Sequence, residues 1–181
     1  MVYSTHELIK KGETEYSIRC KLQNGSLVKH SRGFYALPDE KDYIDEAFIC
    51  KKYPESILTG LSAFYIYDLT DHIPDFFCLT TLQHSFPIRR EDVKQSYQER
   101  KYFGIGVTTK EIECGTVRIY DLERLLIELF RLKEKYPKEL YYEVLSSFRK
   151  IKDKLDFYKV NSYLKSFRNG KNLLLKIKES I

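Results

Sequence analysis

Hydrophobic and polar positions in residues 58–82 predict a helix that is followed directly by a strand. After Thr59, a residue type that can cap a helix, apolar residues recur at helical spacing. These residues are Leu61, Phe64, Tyr65 and Leu69. A polar turn closed by Pro74 follows, and residues 76–81 are rich in aromatic and β-branched side chains, as in a buried strand. We expect this helix to fold back on its strand and to start the main core.

The pattern in residues 3–37 has the order helix, turn, helix and hairpin. A short helix is predicted over residues 6–10 and a second over 14–23, where Ile18 and Leu22 form the apolar stripe. Two short alternating runs then surround a Ser-Arg-Gly turn and predict a β-hairpin. This order is typical of a winged helix-turn-helix. In such a module the second helix enters the major groove of DNA and the hairpin, or wing, contacts phosphates.

Polar positions on the second helix and cations on the wing are the candidate DNA contacts. Phosphates favour Lys and Arg, whereas base edges favour Arg, Gln, Ser or Thr. The candidate DNA-binding residues are Thr14, Ser17, Arg19, Lys21, Gln23, Lys29, His30 and Arg32. However, Glu13 and Glu15 suit the helix dipole and would repel phosphate, and only one helix precedes the second. A protein-interaction module that has lost DNA binding is therefore the alternative.

Beyond the wing we predict a linker over residues 38–42 and a mixed α/β domain over 43–181. A helix over residues 43–52 opens this domain, and the polar stretch 82–100 is a loop or a sheet edge. The predicted fold class is thus α+β: a small, partial winged helix-turn-helix over residues 1–37, then the α/β domain with a helical C-terminal region.

Two strands and a strongly periodic helix are predicted in the middle of the second domain. The strands cover residues 103–108 and 116–120 and are joined by a hairpin turn at residues 113–115. Asp121 is expected to cap the helix, and Glu123 lies in its first turn. Further helices are expected over three segments: 140–152, 156–167 and 173–177. Arg124 adjoins the apolar stripe and needs a carboxylate partner if it is buried.

Charge along the chain is uneven, although the net charge of the 181 residues is only +5. Residues 1–37 carry six basic and three acidic residues, and residues 131–181 carry fourteen and six. The intervening segment is acidic. Basic ends fit a polyanionic partner, and they equally fit a surface that is charged for solubility. The N-terminus lacks a signal-peptide pattern and no apolar run could cross a membrane, so we expect a cytoplasmic protein.

Chemistry is harder to find in the sequence. The four cysteines are far apart and the four histidines are isolated from one another, so neither a metal site nor a cofactor site is expected. No P-loop, HExxH, GxSxG or Cys–His pattern occurs. Asp121 and Glu123 resemble the acidic metal ligands of a nuclease, but helix capping explains both. A non-enzymatic function is the main hypothesis, and a nucleic-acid-processing enzyme is a weaker one.

Three segments together resemble the AbiEi antitoxins of type IV toxin–antitoxin systems. SLVKHSRGFYALPD is similar to the wing and following proline of that family, and LTGLSAFYIYDLTDHIPDFFCLTT to its SxxSALYLHGLTDxxP…xVT segment. VRIYDLERLLIELFR is similar to its xVYDxERTxxD segment. They occur in the family's order, and the likeness covers nearly the whole chain. The motif positions taken as structural are Thr59, Ser62, Asp68, Pro74, Asp121, Glu123 and Arg124.

The resemblance implies an abortive-infection antitoxin that acts against phage and regulates its own transcription. Its winged helix would bind promoter DNA of its own operon, and its C-terminal domain would counteract a nucleotidyltransferase-like toxin without a stable complex. The likeness departs from the family in three places. The family's helix before the strand at residues 2–4 has no counterpart, Asp68 replaces a glycine, and Leu125 and Glu128 replace Thr and Asp.

Overall fold

The computed structural model describes residues 2–40, 46–112 and 115–181, and it confirms an α+β fold. The chain divides into two compact units, Met1–Lys52 and Tyr53–Ile181. Residues 38–40 of the predicted linker lie within the first unit, and residues 41 and 42 are outside the described residues. The predicted hairpin turn includes residues 113 and 114, which are outside the described residues.

The N-terminal unit has the predicted order of helix, helix and hairpin. Its elements are β1 (Tyr3–Ser4), α1 (Thr5–Lys10), α2 (Glu15–Gln23), β2 (Val28–Ser31), β3 (Phe34–Ala36), a 3-10 turn (Pro38–Glu40) and α3 (Glu46–Lys52). The strands form an antiparallel sheet of order β1-β3-β2. Leu8 of α1, Ile18 of α2 and Leu27 form a small buried core between these elements.

Helix α3 completes the N-terminal unit, whereas the sequence predicted that it would open the second domain. The Phe48 ring meets the rings of His30 and Phe34 edge to face, with centroids 4.4 and 5.4 Å away. Lys51 reaches α1, where its Nζ lies 2.9 Å from Oε1 of Glu7. The first unit thus obtains part of its apolar interior from the segment that follows the wing.

The C-terminal unit contains a mixed five-stranded sheet of order β6-β5-β4-β8-β7. The strands are β4 (Ile57–Leu58), β5 (Phe77–Leu82), β6 (Val93–Gln98), β7 (Val107–Ile112) and β8 (Gly115–Tyr120). The helices are α4 (Gly60–Ile66), α5 (Arg100–Phe103), α6 (Leu122–Arg131), α7 (Lys138–Lys150), α8 (Phe157–Leu164) and α9 (Gly170–Ser180). The β5–β6 and β4–β8 pairs are parallel, and β4–β5 and β7–β8 are antiparallel.

The predicted helix and strand of residues 58–82 form, but two details of the prediction were wrong. Thr59 occupies the cap position of α4 without a side-chain hydrogen bond. Instead, the Ser62 hydroxyl accepts the Cys78 N–H at 2.9 Å and donates to the Phe76 carbonyl at 3.2 Å, which ties α4 to the segment entering β5. Tyr65 is 39% exposed, because the face buried against the sheet runs through small residues and Phe64.

Several other predictions are resolved in the same unit. Residues 82–100 contain β6, an edge strand as anticipated. The strand predicted from residue 103 begins only at Val107, because Gly106 adopts φ +71° and breaks the extended backbone. Asp68, at a position where the AbiEi resemblance predicts a glycine, has φ +56° and tolerates the left-handed conformation. The last helix is longer than predicted and starts at Gly170.

Candidate functional sites

Helix α2 exposes one face to solvent and buries the other. Ile18 is 4% exposed and packs in the unit's core, while Tyr16 is 76% exposed. Arg19 and Gln23 are also exposed, and with Tyr16 they follow the i, i+3, i+7 spacing of a single helical face. The helix therefore presents an aromatic ring, a guanidinium group and an amide together, the kinds of group that reach base edges and phosphates.

Three of the predicted DNA-binding residues, Thr14, Ser17 and Lys21, already have partners at the N-terminal end of α2. Thr14 and Ser17 form a capping box: the Ser17 N–H donates to Thr14 Oγ1 at 3.1 Å and the Thr14 N–H to Ser17 Oγ at 2.8 Å. Ser17 also donates to Glu13 Oε2 at 2.6 Å. Lys21 pairs with the other Glu13 oxygen. The hydrogen bond from Lys21, followed by that from Ser17, lowers the pKa of Glu13 and keeps it ionised.

The wing adds two exposed cations. Lys29 lies on β2, and Arg32 lies in the turn between β2 and β3. His30, also predicted to bind DNA, is half-buried against Phe48. Of the predicted residues, Arg19, Gln23, Lys29 and Arg32 are exposed and make no side-chain hydrogen bond or ion pair with the residues that the structure describes.

The C-terminal unit buries a charged centre on α6. Arg124 is fully buried, and its guanidinium carbon lies 4.8 Å from the centroids of both the Tyr120 and Phe167 rings. Arg124 Nη2 is 2.7 Å from Oε1 of Glu128, which is 2% exposed. The two groups form an ion pair outside hydrogen-bond alignment. Glu128 also accepts a 3.1 Å hydrogen bond from Arg131, so one carboxylate serves two guanidinium groups. The carboxylate partner predicted for a buried Arg124 is thus confirmed.

Asp121 and Glu123 have structural partners. Asp121 accepts the backbone N–H of Arg124 at 2.9 Å, which confirms the predicted cap, and the Tyr163 hydroxyl at 2.7 Å. Glu123 accepts the backbone N–H of Asp156 at 2.9 Å. Burial raises the pKa of Asp121, and the hydrogen bonds that Asp121 accepts from the Arg124 N–H and the Tyr163 hydroxyl partly offset this rise. Among the described residues, no cluster of His, Cys, Asp and Glu side chains could hold a metal ion.

Some features of these sites could not be predicted from sequence. The Glu13–Lys21 pair spans eight positions along α2 and its approach, and helical spacing gives no signal for it. Phe167 contacts Arg124 from far along the chain. Tyr16 was detectable in principle, because it lies off the Ile18–Leu22 stripe of a short helix.

Comparisons with known proteins give a structural likeness only. No protein-family model matches the chain, and no curated protein matches it. Among solved structures, the crystal structure of the RV2827C protein from Mycobacterium tuberculosis is similar, with 15% sequence identity and a TM-score of 0.47. The similarity covers 97% of this chain and 76% of that one. Within the described ranges, no helix combines the length and apolar character that crossing a bilayer requires.

Proposed function

We propose that the protein is a non-catalytic antitoxin of a type IV toxin–antitoxin system and that its N-terminal unit binds promoter DNA of its own operon. The observation that carries the DNA-binding part is the open face of α2, where Tyr16, Arg19 and Gln23 stand beside one another in solvent. The antitoxin part rests on the three segments that resemble the AbiEi family. The protein would work in the cytoplasm without a cofactor, and a nucleotidyltransferase-like toxin would be its functional partner.

The proposed arrangement of the protein on DNA uses the side chains that have no partner among the described residues. Arg19 and Gln23 would read base edges from the major groove, since Arg pairs with guanine and Gln with adenine through two hydrogen bonds. Lys29 and Arg32 would hold phosphates flanking the groove. Lys21 would make little direct contact with DNA, because its ammonium group is held by Glu13, and the pair together carries no net charge toward the phosphates.

The test is fluorescence anisotropy with a labelled duplex from the region upstream of the gene. We expect saturable binding that weakens steeply with salt and exceeds binding to a scrambled duplex. Arg19→Ala should weaken specific binding by about 5-fold to 150-fold, because a base contact is worth about 1–3 kcal/mol. The matched control is the paired variant Glu13→Gln with Lys21→Ala, which removes both charges of a surface ion pair, leaves the net charge of the face unchanged and should change affinity by less than about threefold.

Equal affinity for the upstream and scrambled duplexes, or an Arg19→Ala variant that binds as tightly as the parent, would remove the repressor proposal. The antitoxin proposal has a separate readout. Co-expression with the neighbouring toxin gene should restore growth, and Arg19→Ala should leave that rescue intact. Restored growth by an unrelated protein of the same size would count against a specific antitoxin.

One observation favours the alternative of a protein-interaction module. Tyr16 is large, 76% exposed and lies at the N-terminal end of the α2 face, and exposed tyrosines are common anchors of protein interfaces. If this alternative holds, the anisotropy experiment shows no duplex binding. Tyr16→Ala then lowers toxin neutralisation in cells, whereas a pure DNA reader would retain it.

A further inference from the structure

An open cleft of about 510 Å³ lies beside the buried charged centre of the C-terminal unit. It is bounded by the end of α6, by α5 and by one face of α9. Its lining residues are Tyr102, Phe130, Arg131, Phe167, Arg168, Asn169, Asn172, Leu173 and Lys176. The volume lies in the range of small-molecule sites in proteins, which is about 300–1,000 Å³.

The polar part of this lining is cationic. Arg131, Arg168 and Lys176 contribute three positive charges, and no carboxylate lines the cleft in the part of the chain that the structure describes. Arg131 is held by Glu128 at 3.1 Å. Arg168 and Lys176 are exposed and make no ion pair or side-chain hydrogen bond with described residues, so their donors are open to a ligand. Asn172 adds an amide at the helical spacing that places it beside Lys176.

The apolar part is an aromatic wall. The Tyr102 and Phe167 rings stack with centroids 4.8 Å apart and an interplanar angle of 10°, and Phe130 lies nearby in the same lining. Arg124 and Arg131 hold the Phe167 ring in place from α6, with guanidinium carbons 4.8 and 5.4 Å from its centroid. Phe167 is thus covered on both faces, so the face open to a ligand ring is the outer face of Tyr102, over which the Lys101 Nζ lies 4.6 Å from the ring centroid.

The loop that carries Phe167 and Arg168 is fixed as well. α8 ends at Leu164 and α9 begins at Gly170, so a short loop connects two helices that pack against each other. A Cβ atom on Gly170 would lie 1.9 Å from the Leu164 carbonyl oxygen, and no other residue allows that approach. The turn thus sets both the aromatic wall and the first cation of the cleft.

We propose that this cleft binds a free nucleoside phosphate, with the base on the outer face of Tyr102 in place of the Lys101 ammonium group and the phosphates between Arg168 and Lys176. A planar ring matches stacked aromatic side chains, and a polyphosphate matches fixed cations without opposing carboxylates. A purely apolar ligand would leave the cations desolvated, and a simple anion would leave the wall unused. The site is independent of the DNA-reading face, because its residues belong to the other unit.

Isothermal titration calorimetry of the full chain with ATP and with inorganic tripolyphosphate tests the assignment. We expect ATP to bind about tenfold more tightly than tripolyphosphate, since stacking of one base is worth about that much. Arg168→Ala and Lys176→Ala should each weaken ATP about tenfold, as the loss of a charged hydrogen bond does. Lys178→Ala is the matched control: it removes the same charge from α9 outside the cleft and should change affinity less than twofold.

Tyr102→Leu separates base recognition from charge. The affinity of this variant for ATP should fall to its affinity for tripolyphosphate. Its affinity for tripolyphosphate should equal that of the parent, which would show that the cleft remains folded. The assignment is overturned if ATP shows no saturable binding, if tripolyphosphate binds as tightly as ATP, or if Lys178→Ala weakens ATP as much as Lys176→Ala. Tighter competition by an eight-nucleotide RNA than by ATP would assign the cleft to nucleic acid and overturn the free nucleotide. Arg19→Ala should not affect any of these titrations.

Discussion

The two units place their charged side chains in opposite ways. In the N-terminal unit, Arg19, Lys29 and Arg32 lie in solvent around a small apolar core. In the C-terminal unit, Arg124 and Glu128 are buried together among aromatic rings. Exposed cations contribute little to the free energy of unfolding and remain available to a ligand, whereas a buried pair must stay together because separating it is costly. Arg19 is therefore available for binding at the surface of the N-terminal unit, whereas Arg124 organises the interior of the C-terminal unit.

The largest expected effect is that of breaking the buried pair. Arg124→Ala leaves the Glu128 carboxylate without its buried partner and removes the group packed on Phe167, and it should lower the free energy of unfolding by about 3–5 kcal/mol. Urea denaturation followed by circular dichroism measures this. The paired variant Arg124→Met with Glu128→Leu should recover most of the loss, because apolar replacements of similar volume remove the need for pairing. Arg19→Ala in the other unit should stay within about 0.5 kcal/mol, and a similar loss there would erase the contrast between the units.

A second test addresses how closely the backbone approaches the buried centre. Gly106 has φ +71°, and an added Cβ would lie 2.5 Å from the Arg124 Cβ and 2.8 Å from Asp121 Oδ1. Gly106→Ala should therefore cost at least about 1–3 kcal/mol from backbone strain alone. Thermal unfolding provides the measurement. Gly104→Ala is the matched control, since nothing lies within 4 Å of its added Cβ and its φ is negative. Equal free energies of unfolding for the two variants would show that Arg124 and Asp121 can move aside at little cost.

Removing the side chain at a helix cap should have an intermediate effect on the free energy of unfolding in the C-terminal unit. Asp121→Ala removes a cap and the Tyr163 contact, and it should cost about 1–2 kcal/mol. Thr59→Ala alters the corresponding position of α4, where the side chain makes no capping hydrogen bond, and should change stability by less than about 0.5 kcal/mol. Chemical denaturation of both variants decides the matter. A large loss in Thr59→Ala would mean that the threonine hydroxyl caps α4 in solution.

The smallest effect concerns an exposed carboxylate. Hydrogen bonds from the Thr70 hydroxyl and then the Asp71 N–H hold the pKa of Glu143 below its ordinary value of 4.5. The ionised form is thus favoured by folding, so its contribution is complete above pH 4.5 and is lost as the pH falls through the lowered folded value. Glu143→Gln should unfold more easily than the parent at pH 6, and the difference should shrink toward pH 3. A difference that stays constant with pH would assign the effect to packing.

The sequence allowed the elements to be predicted better than the contacts between them. Periodicity located α2 and α6, and side-chain chemistry identified the Asp121 cap and the need of Arg124 for a carboxylate. These features depend on residues within one or two helical turns. Thr59 occupies the predicted cap position, but its side chain makes no capping hydrogen bond, and the hydrogen bond that joins α4 to β5 comes from Ser62, a contact between distant segments that helical spacing does not indicate. The nucleotide-sized cleft could not be predicted, because its walls come from three distant segments.

The centre of the large sheet is its shortest strand. β4 contributes only Ile57 and Leu58, yet it joins β5 on one side and β8 on the other. The β5–β6 and β7–β8 pairs are each formed by neighbours in sequence, so either can assemble early at low entropic cost. The two pairs are then held in one sheet only through the hydrogen bonds of Ile57 and Leu58 in β4, among the strands that the structure describes. We therefore expect the amide hydrogens that join β4 to β5 and β8 to exchange faster than those within the β5–β6 and β7–β8 pairs.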